Sequence, residues 1–97
     1  MPELGRDEVV LRFLAAHDIP LRHKEIYGGI IYHRDVTFSY KQTRDTVRDL
    51  YARGLLRRVE IDDDDGVIRD IPEDESNRRG YYLISDAGRA EVESSRE

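Results

Sequence analysis

Cysteine is absent from the 97-residue chain, which excludes a disulfide framework, a thiolate-bound zinc and a cysteine nucleophile. Histidine is scarce. His17, His23 and His33 match neither two metal ligands one helical turn apart nor an H-E-x-x-H motif, so they read as surface or half-buried side chains, and neither a metal nor another cofactor is expected. Apolar runs are short: Val9-Val10-Leu11 is typical, against the roughly 20 residues that a membrane span needs. Met1-Pro2-Glu3-Leu4-Gly5 holds no basic run followed by an apolar stretch, so no signal peptide is expected. A cytoplasmic location with no membrane partner is the expectation. Lysine is nearly missing as well, since only Lys24 and Lys41 among the 16 basic residues are lysine, against 21 acidic residues. An acidic, lysine-poor surface keeps a protein soluble in strong salt, and a halophilic origin is expected on that ground.

What the chain has in abundance is charge: 38% of residues carry one, and the formal net is −5. Taken whole, that sign argues against a nucleic-acid partner. Position reverses the argument. Residues 21–58 hold nine basic side chains against four acidic, a net +5, whereas residues 59–76 hold Arg69 against nine acidic, a net −8. The acidity sits in one segment and the middle of the chain is basic, a pattern that the isoelectric point conceals. A chain of this length buries about 60–65% of the surface its unfolded state exposes, enough for one core. A single domain over residues 1–97 is expected, and no internal repeat divides it.

Val9, Val10, Phe13, Leu14 and His17 follow three- and four-residue spacings and predict a helix from Asp7 to His17. Asp7 is its expected N-cap and Asp18-Ile19-Pro20 its stop, because the residue before proline avoids helical dihedrals. A short second helix is expected from Leu21 to Gly28, with Gly28-Gly29 ending it. Val36-Thr37-Phe38 predicts a stub of strand. The strongest local signal is Ser39-Tyr40-Lys41-Gln42, a capping box in which the serine hydroxyl accepts the N3 amide proton and the glutamine reaches back to the serine N–H. Thr43, Val47, Leu50 and Tyr51 mark the inward stripe of a third helix from Tyr40 to Arg53, closed by a left-handed C-cap at Gly54 that folds Leu55 back. Leu56 to Ile61 and Tyr81 to Ile84 are strand-like, with Val59 and Ile61 on one face. The segment Asp62 to Gly80 between them is too long for a tight hairpin. Within it Val67 to Ile71 is a candidate extra strand after the Asp65-Gly66 turn, and the chain from Pro72 is expected to be mobile. Ser85 caps a short terminal helix from Asp86.

Val36-Thr37-Phe38-Ser39-Tyr40, then Leu50-Tyr51-Ala52-Arg53-Gly54-Leu55-Leu56-Arg57-Arg58-Val59, then Tyr81-Tyr82-Leu83-Ile84-Ser85-Asp86-Ala87-Gly88-Arg89 resemble winged helix-turn-helix transcriptional regulators, in particular the small haloarchaeal phage-repressor-like group. The similarity runs from about Val9 to Glu91. It implies an α+β winged helix-turn-helix fold, with a three-helix core, a β-hairpin wing over about residues 56–84 carrying a long acidic tip, and a short C-terminal helix. It implies a sequence-specific regulator of double-stranded DNA, in function a repressor, acting as a homodimer. Two features depart from the pattern: the link from Gly28 to Ser39 exceeds the three- or four-residue turn of a plain helix-turn-helix, and the tip is longer and more acidic than a wing that lies on DNA.

With the third helix as recognition helix, Tyr40, Lys41, Arg44, Asp45 and Arg48 are expected to face outward. Arg44 and Arg48 suit guanine O6 and N7, each good bidentate pair being worth about 1–3 kcal/mol of discrimination, and Tyr40 and Lys41 suit phosphates. The bland alternative pairs Arg44 and Arg48 with Asp45 or Asp49 on a solvated helix. Thr37 and Ser39 can donate hydroxyls to phosphate, and Arg57 with Arg58, or Arg78 with Arg79, can flank the duplex backbone. Asp62-Asp63-Asp64-Asp65-Gly66 fails the EF-hand pattern, because Ile61 and Pro72 stand at loop positions one and twelve; a solvated turn is expected. The six tyrosines, Tyr27, Tyr32, Tyr40, Tyr51, Tyr81 and Tyr82, mostly occupy expected core positions and do not form a stacking platform for single strands. No nucleophile, base and orienting group converge, so an enzyme is not expected, and no small-molecule ligand is evident. The remaining alternative is a protein-binding module that meets a basic partner through the acidic residues 62–75.

Overall fold

A computed structural model of the chain describes residues 5–34, 38–75 and 80–94. The first helix, α1 (Arg6–Ala16), forms where the apolar spacing predicts it, and its Val9, Val10, Leu11, Phe13 and Leu14 are all buried. Its N-cap is Gly5 instead of the expected Asp7. Asp7 lies in the first turn, where its charge suits the helix dipole, and its carboxylate accepts a hydrogen bond from Arg53 at 2.9 Å.

The second helix, α2 (His23–Arg34), runs through the glycine pair expected to stop it. Neither glycine has the positive φ of a C-cap; Gly54 and Gly66 are the two that do among the described residues. Gly29 serves packing instead, because a Cβ there would run into the Phe13 ring of α1. The helix therefore contributes both Ile26 and Ile30 to the core, and the link to the next helix shortens to residues 35–39. Val36 and Thr37 of the expected strand stub lie outside the described residues.

The third helix, α3 (Tyr40–Ala52), carries its expected N-cap: Ser39 Oγ accepts from the Gln42 N–H at 3.0 Å and Gln42 Oε1 accepts from the Ser39 N–H at 3.0 Å. It ends one residue before the expected Arg53, which is the C-cap. Gly54, at φ +78°, donates to the Tyr51 carbonyl and Leu55 to the Leu50 carbonyl, both at 3.0 Å, the pair of bonds of a Schellman motif. Thr43, Val47 and Leu50 point inward as expected, joined by Thr46.

Three strands follow, β1 (Leu56–Asp62), β2 (Val67–Asp70) and β3 (Tyr81–Ile84), in an antiparallel sheet of order β2-β1-β3. The candidate extra strand is thus real, and it divides the long tip: β1 pairs its outer half with β2 and its inner half with β3, Val59 standing opposite Asp70 on one side and Tyr81 on the other. The segment expected to be mobile from Pro72 begins with a 3-10 turn, Glu73–Glu75. Leu21, in the link from α1 to α2, bridges Tyr82 through reciprocal hydrogen bonds of 3.2 and 2.7 Å. Cross-strand partners share a face, so Leu56, Arg58, Tyr82 and Ile84 form one face, with Leu56, Tyr82 and Ile84 in the helical core. Val59 and Leu83, on the other, are buried too. Ile61 shares Val59's face as expected but lies farther out along the hairpin and is 42% exposed.

The last helix, α4 (Asp86–Ser94), starts at Ser85, whose Oγ accepts from the Gly88 N–H at 3.0 Å and donates to the Gly54 carbonyl at 2.8 Å. That bond ties the start of α4 to the end of α3. The result is an α+β fold of four helices and one three-stranded antiparallel sheet, in which no described helix is long and apolar enough to cross a membrane.

Candidate functional site

The bridge between Leu21 and Tyr82 fixes where α2 begins. Glu25 then closes its first turn, its carboxylate accepting from the Arg22 N–H at 2.7 Å, and Arg22 lies over the Tyr81 ring at 4.7 Å while donating to the Tyr81 hydroxyl at 2.9 Å. His23 is thereby set against the Tyr82 ring, with centroids 4.9 Å apart. From α3, Tyr40, Arg44, Arg48 and Tyr51 recur at helical spacing and face the same region, and from β1 Arg58 projects beside Tyr82.

These walls enclose two adjoining hollows of about 300 and 370 Å³ that share His23, Arg58 and Tyr82. Arg22, Lys24, Tyr40 and Gly80 complete the lining of the first, Arg48 and Tyr51 that of the second, and among the described residues no carboxylate lines either. His23 Nε2, in the wall of both hollows, and Arg44 Nε are buried without a hydrogen-bond partner among the described residues. Burial, followed by the charges of Arg48, Arg44 and Arg58, holds the His23 imidazole below the usual histidine range. Burial also pushes the Tyr82 phenol up, against the opposing influence of Arg58 and Arg48.

The outward set expected on α3 splits in two. Lys41 and Asp45 pair with each other at 2.9 Å on the solvated side, and the Lys41 hydrogen bond is the main reason that the Asp45 carboxyl is held below its ordinary range. Arg44 forms the bland pair with Asp45 in its loosest form, an ion pair with Nε 4.0 Å from the carboxylate and no hydrogen bond, while its charge also acts on His23. The bland pairing does not capture Arg48. Asp45 is engaged by Lys41, Asp49 pairs with Arg53 at 3.4 Å, and Arg48 is exposed with no ion-pair partner among the described residues. Tyr40 is 42% exposed at the rim and sets its ring edge-on to Tyr27. Ser39 is occupied as the cap. Thr37, Arg78 and Arg79 lie outside the described residues.

Arg57 is drawn to Asp70 at 3.0 Å across β1 and β2, which leaves Arg58 as the member of that pair facing the cleft. His23, Arg22 and Lys24 are the cleft residues that sequence reasoning missed. Their signal was faint: basic side chains clustered immediately after Pro20, with nothing local to show that the sheet closes over them. Asp62 to Gly66 closes as a turn, Asp62 Oδ1 accepting from the Asp64 N–H at 3.0 Å, while Arg69 pairs with Asp62 and Asp65 at 3.3 and 3.2 Å. No group of three or more histidine or acidic side chains is placed to hold a metal among the described residues. The tyrosines divide between roles: Tyr82 is buried, whereas Tyr32 is 83% exposed, contrary to a core position.

Compared with family models, curated proteins and solved structures, the chain matches none of them.

Proposed function

We propose that the chain is a winged helix-turn-helix regulator that binds double-stranded DNA sequence-specifically, with α3 lying in the major groove. The observation that carries this reading is Arg48, exposed and without a carboxylate partner among the described residues, on a helix flanked by a cleft of basic side chains. An arginine left unpaired while every neighbouring carboxylate is engaged elsewhere suits bidentate contact with guanine. The element order supports it as well: three helices, a strand bridge between the first two, and a hairpin projecting beyond the third. As a repressor it would act as a homodimer on half-sites about one helical turn of DNA, roughly 34 Å, apart.

The test is selection of bound sequences from a random duplex pool, followed by gel retardation of the selected site. Arg48→Ala should relax base preference at one position, whereas Lys41→Ala should weaken all sequences alike. Failure to retard any duplex, including the gene's upstream region, at micromolar protein and moderate salt would sink the proposal. A second reading, docking of a basic protein on the acidic hairpin, is favoured by Ile61, Val67 and Ile68, which are 42%, 41% and 46% exposed beside Asp63 and Asp64.

A further inference from the structure

The cleft between α2, α3 and the sheet has a chemistry that a role in base reading does not require. Charged groups face His23 from each element around it. Lys24 lines the hollow from α2 and Arg22 from the segment before it, held on Tyr81, Arg44 and Arg48 act from α3, and Arg58 acts from β1, while β3 contributes the neutral Tyr82 ring. Glu25, the nearby acidic residue of α2, is directed to the Arg22 N–H. Asp45 stands 4.0 Å from Arg44 Nε at one side of this cluster, but among the described residues no carboxylate lines the hollows themselves, and cations gathered in this way favour an anion; His23 Nε2 and Arg44 Nε are buried with no hydrogen-bond partner among the described residues. Buried polar groups are normally satisfied, so such a pair signals a missing partner. A protonated His23 and the arginines are all donors, so the partner that suits them together is an acceptor with negative charge, small enough for a hollow of about 300 Å³, and a tetrahedral oxyanion has those properties.

We propose that this cleft is a binding site for a phosphate group, held by His23 Nε2 and the basic side chains around it. In the empty site the neighbouring arginines oppose a proton on the imidazole. A phosphate reverses the sign of the local field, and His23 takes up a proton and donates from Nε2. Anion binding and proton uptake are then linked, each strengthening the other. The site does not depend on α3 reading a duplex: the phosphate can belong to a DNA backbone or to a free phosphorylated ligand, and the two sources separate by experiment.

The test follows the His23 ring signals by NMR through a pH titration of the whole chain, at constant ionic strength, in chloride, sulfate, inorganic phosphate and a mixed-sequence duplex. Phosphate monoesters titrate near pH 6 themselves, so sulfate carries the pH argument. The expected result is that the His23 midpoint moves to higher pH in sulfate and phosphate relative to chloride, while His17 and His33, which stack on each other at 5.4 Å away from the cleft lining, do not follow. Sulfate affinity should rise as pH falls, by up to about tenfold per pH unit for one linked proton. His23→Gln should remove that dependence and keep residual binding, and Arg58→Gln should weaken binding at every pH. A shift with the duplex as well assigns the site to backbone phosphate; a shift with phosphate while the duplex is not bound assigns it to a free ligand and leaves the DNA reading to fail on its own. An unchanged His23 midpoint in all four solutions overturns the proposal, and this readout needs no variant to fold.

Discussion

A methyl group at position 29 would land in the Phe13 ring, whereas one at position 28 would meet nothing. Gly29→Ala therefore overpacks the α1–α2 contact at a cost of about 1–3 kcal/mol, which outweighs the gain of up to ~1 kcal/mol that alanine brings to a helix interior. Gly28→Ala keeps only the gain and should stabilise by roughly 0.5–1 kcal/mol. Urea unfolding of the two variants should move the midpoint in opposite directions. The same pair marks a limit of legibility, because a glycine needed for a left-handed cap and one needed for close approach are the same letter, and only the partner helix tells them apart. His23 behaves similarly: its scarcity and spacing argue against a metal, but its basic neighbours come from residues 44, 48 and 58, brought near by folding. Its lowered folded-state pKa, against 6.5 for the free side chain, means that the unfolded chain binds the proton first as pH falls. Stability contributed by a neutral His23 is full above pH 6.5 and is lost as pH descends through the window below it. Urea midpoints at pH 7.5 and 5.5 should therefore differ more for the parent chain than for His23→Gln, and equal differences would refute the assignment.

Among the elements, α3 was the most legible, because both its ends are set by residues within a few positions of each other. Ser39 and Gln42 close one end and Gly54 and Leu55 the other, and each can be tested separately. Ser39→Ala removes an N-cap and should cost about 1 kcal/mol; Gly54→Ala forces a side chain into φ +78° at about 1–2 kcal/mol. Thermal unfolding should show both losses, and at these separated positions the double variant should show their sum within about 0.5 kcal/mol. The sheet was less legible for the opposite reason. The alternation in Leu56 to Ile61 announces a strand, but it does not say that β1 is central, that β2 takes one flank, or that Arg58 shares a face with Tyr82. Those facts depend on pairing over long sequence separations, and with them went the cleft. Of the candidate site, the α3 side chains and Arg58 were visible in advance, whereas Arg22, His23 and Lys24 and the Tyr82 wall were not.

At the scale of the whole molecule, the two charged blocks meet on β1, where Arg57 pairs with Asp70. The −8 of residues 59–76 is carried chiefly by the β1–β2 hairpin and its turn, where Arg69 pairs with Asp62 and Asp65 and Arg57 with Asp70. The basic side chains gather at the cleft and along α3. If α3 binds a duplex, the hairpin repels it through solvent, and that repulsion is screened over about 10 Å at 0.1 M salt but about 3 Å at 1 M. Replacing residues 61–68 by a tight turn should therefore tighten duplex binding at 0.1 M salt and leave it unchanged at 1 M. Arg48→Ala, in contrast, should reduce the slope of log affinity against log salt by about 1 if Arg48 meets a phosphate, and should leave the slope intact while relaxing base preference if it meets guanine. Fluorescence anisotropy across that salt range separates these cases in one data set. Loss of binding at every salt concentration on shortening the hairpin would mean that the hairpin itself makes the contact, and the acidic surface, with Ile61, Val67 and Ile68 beside it, would then be the partner-binding face.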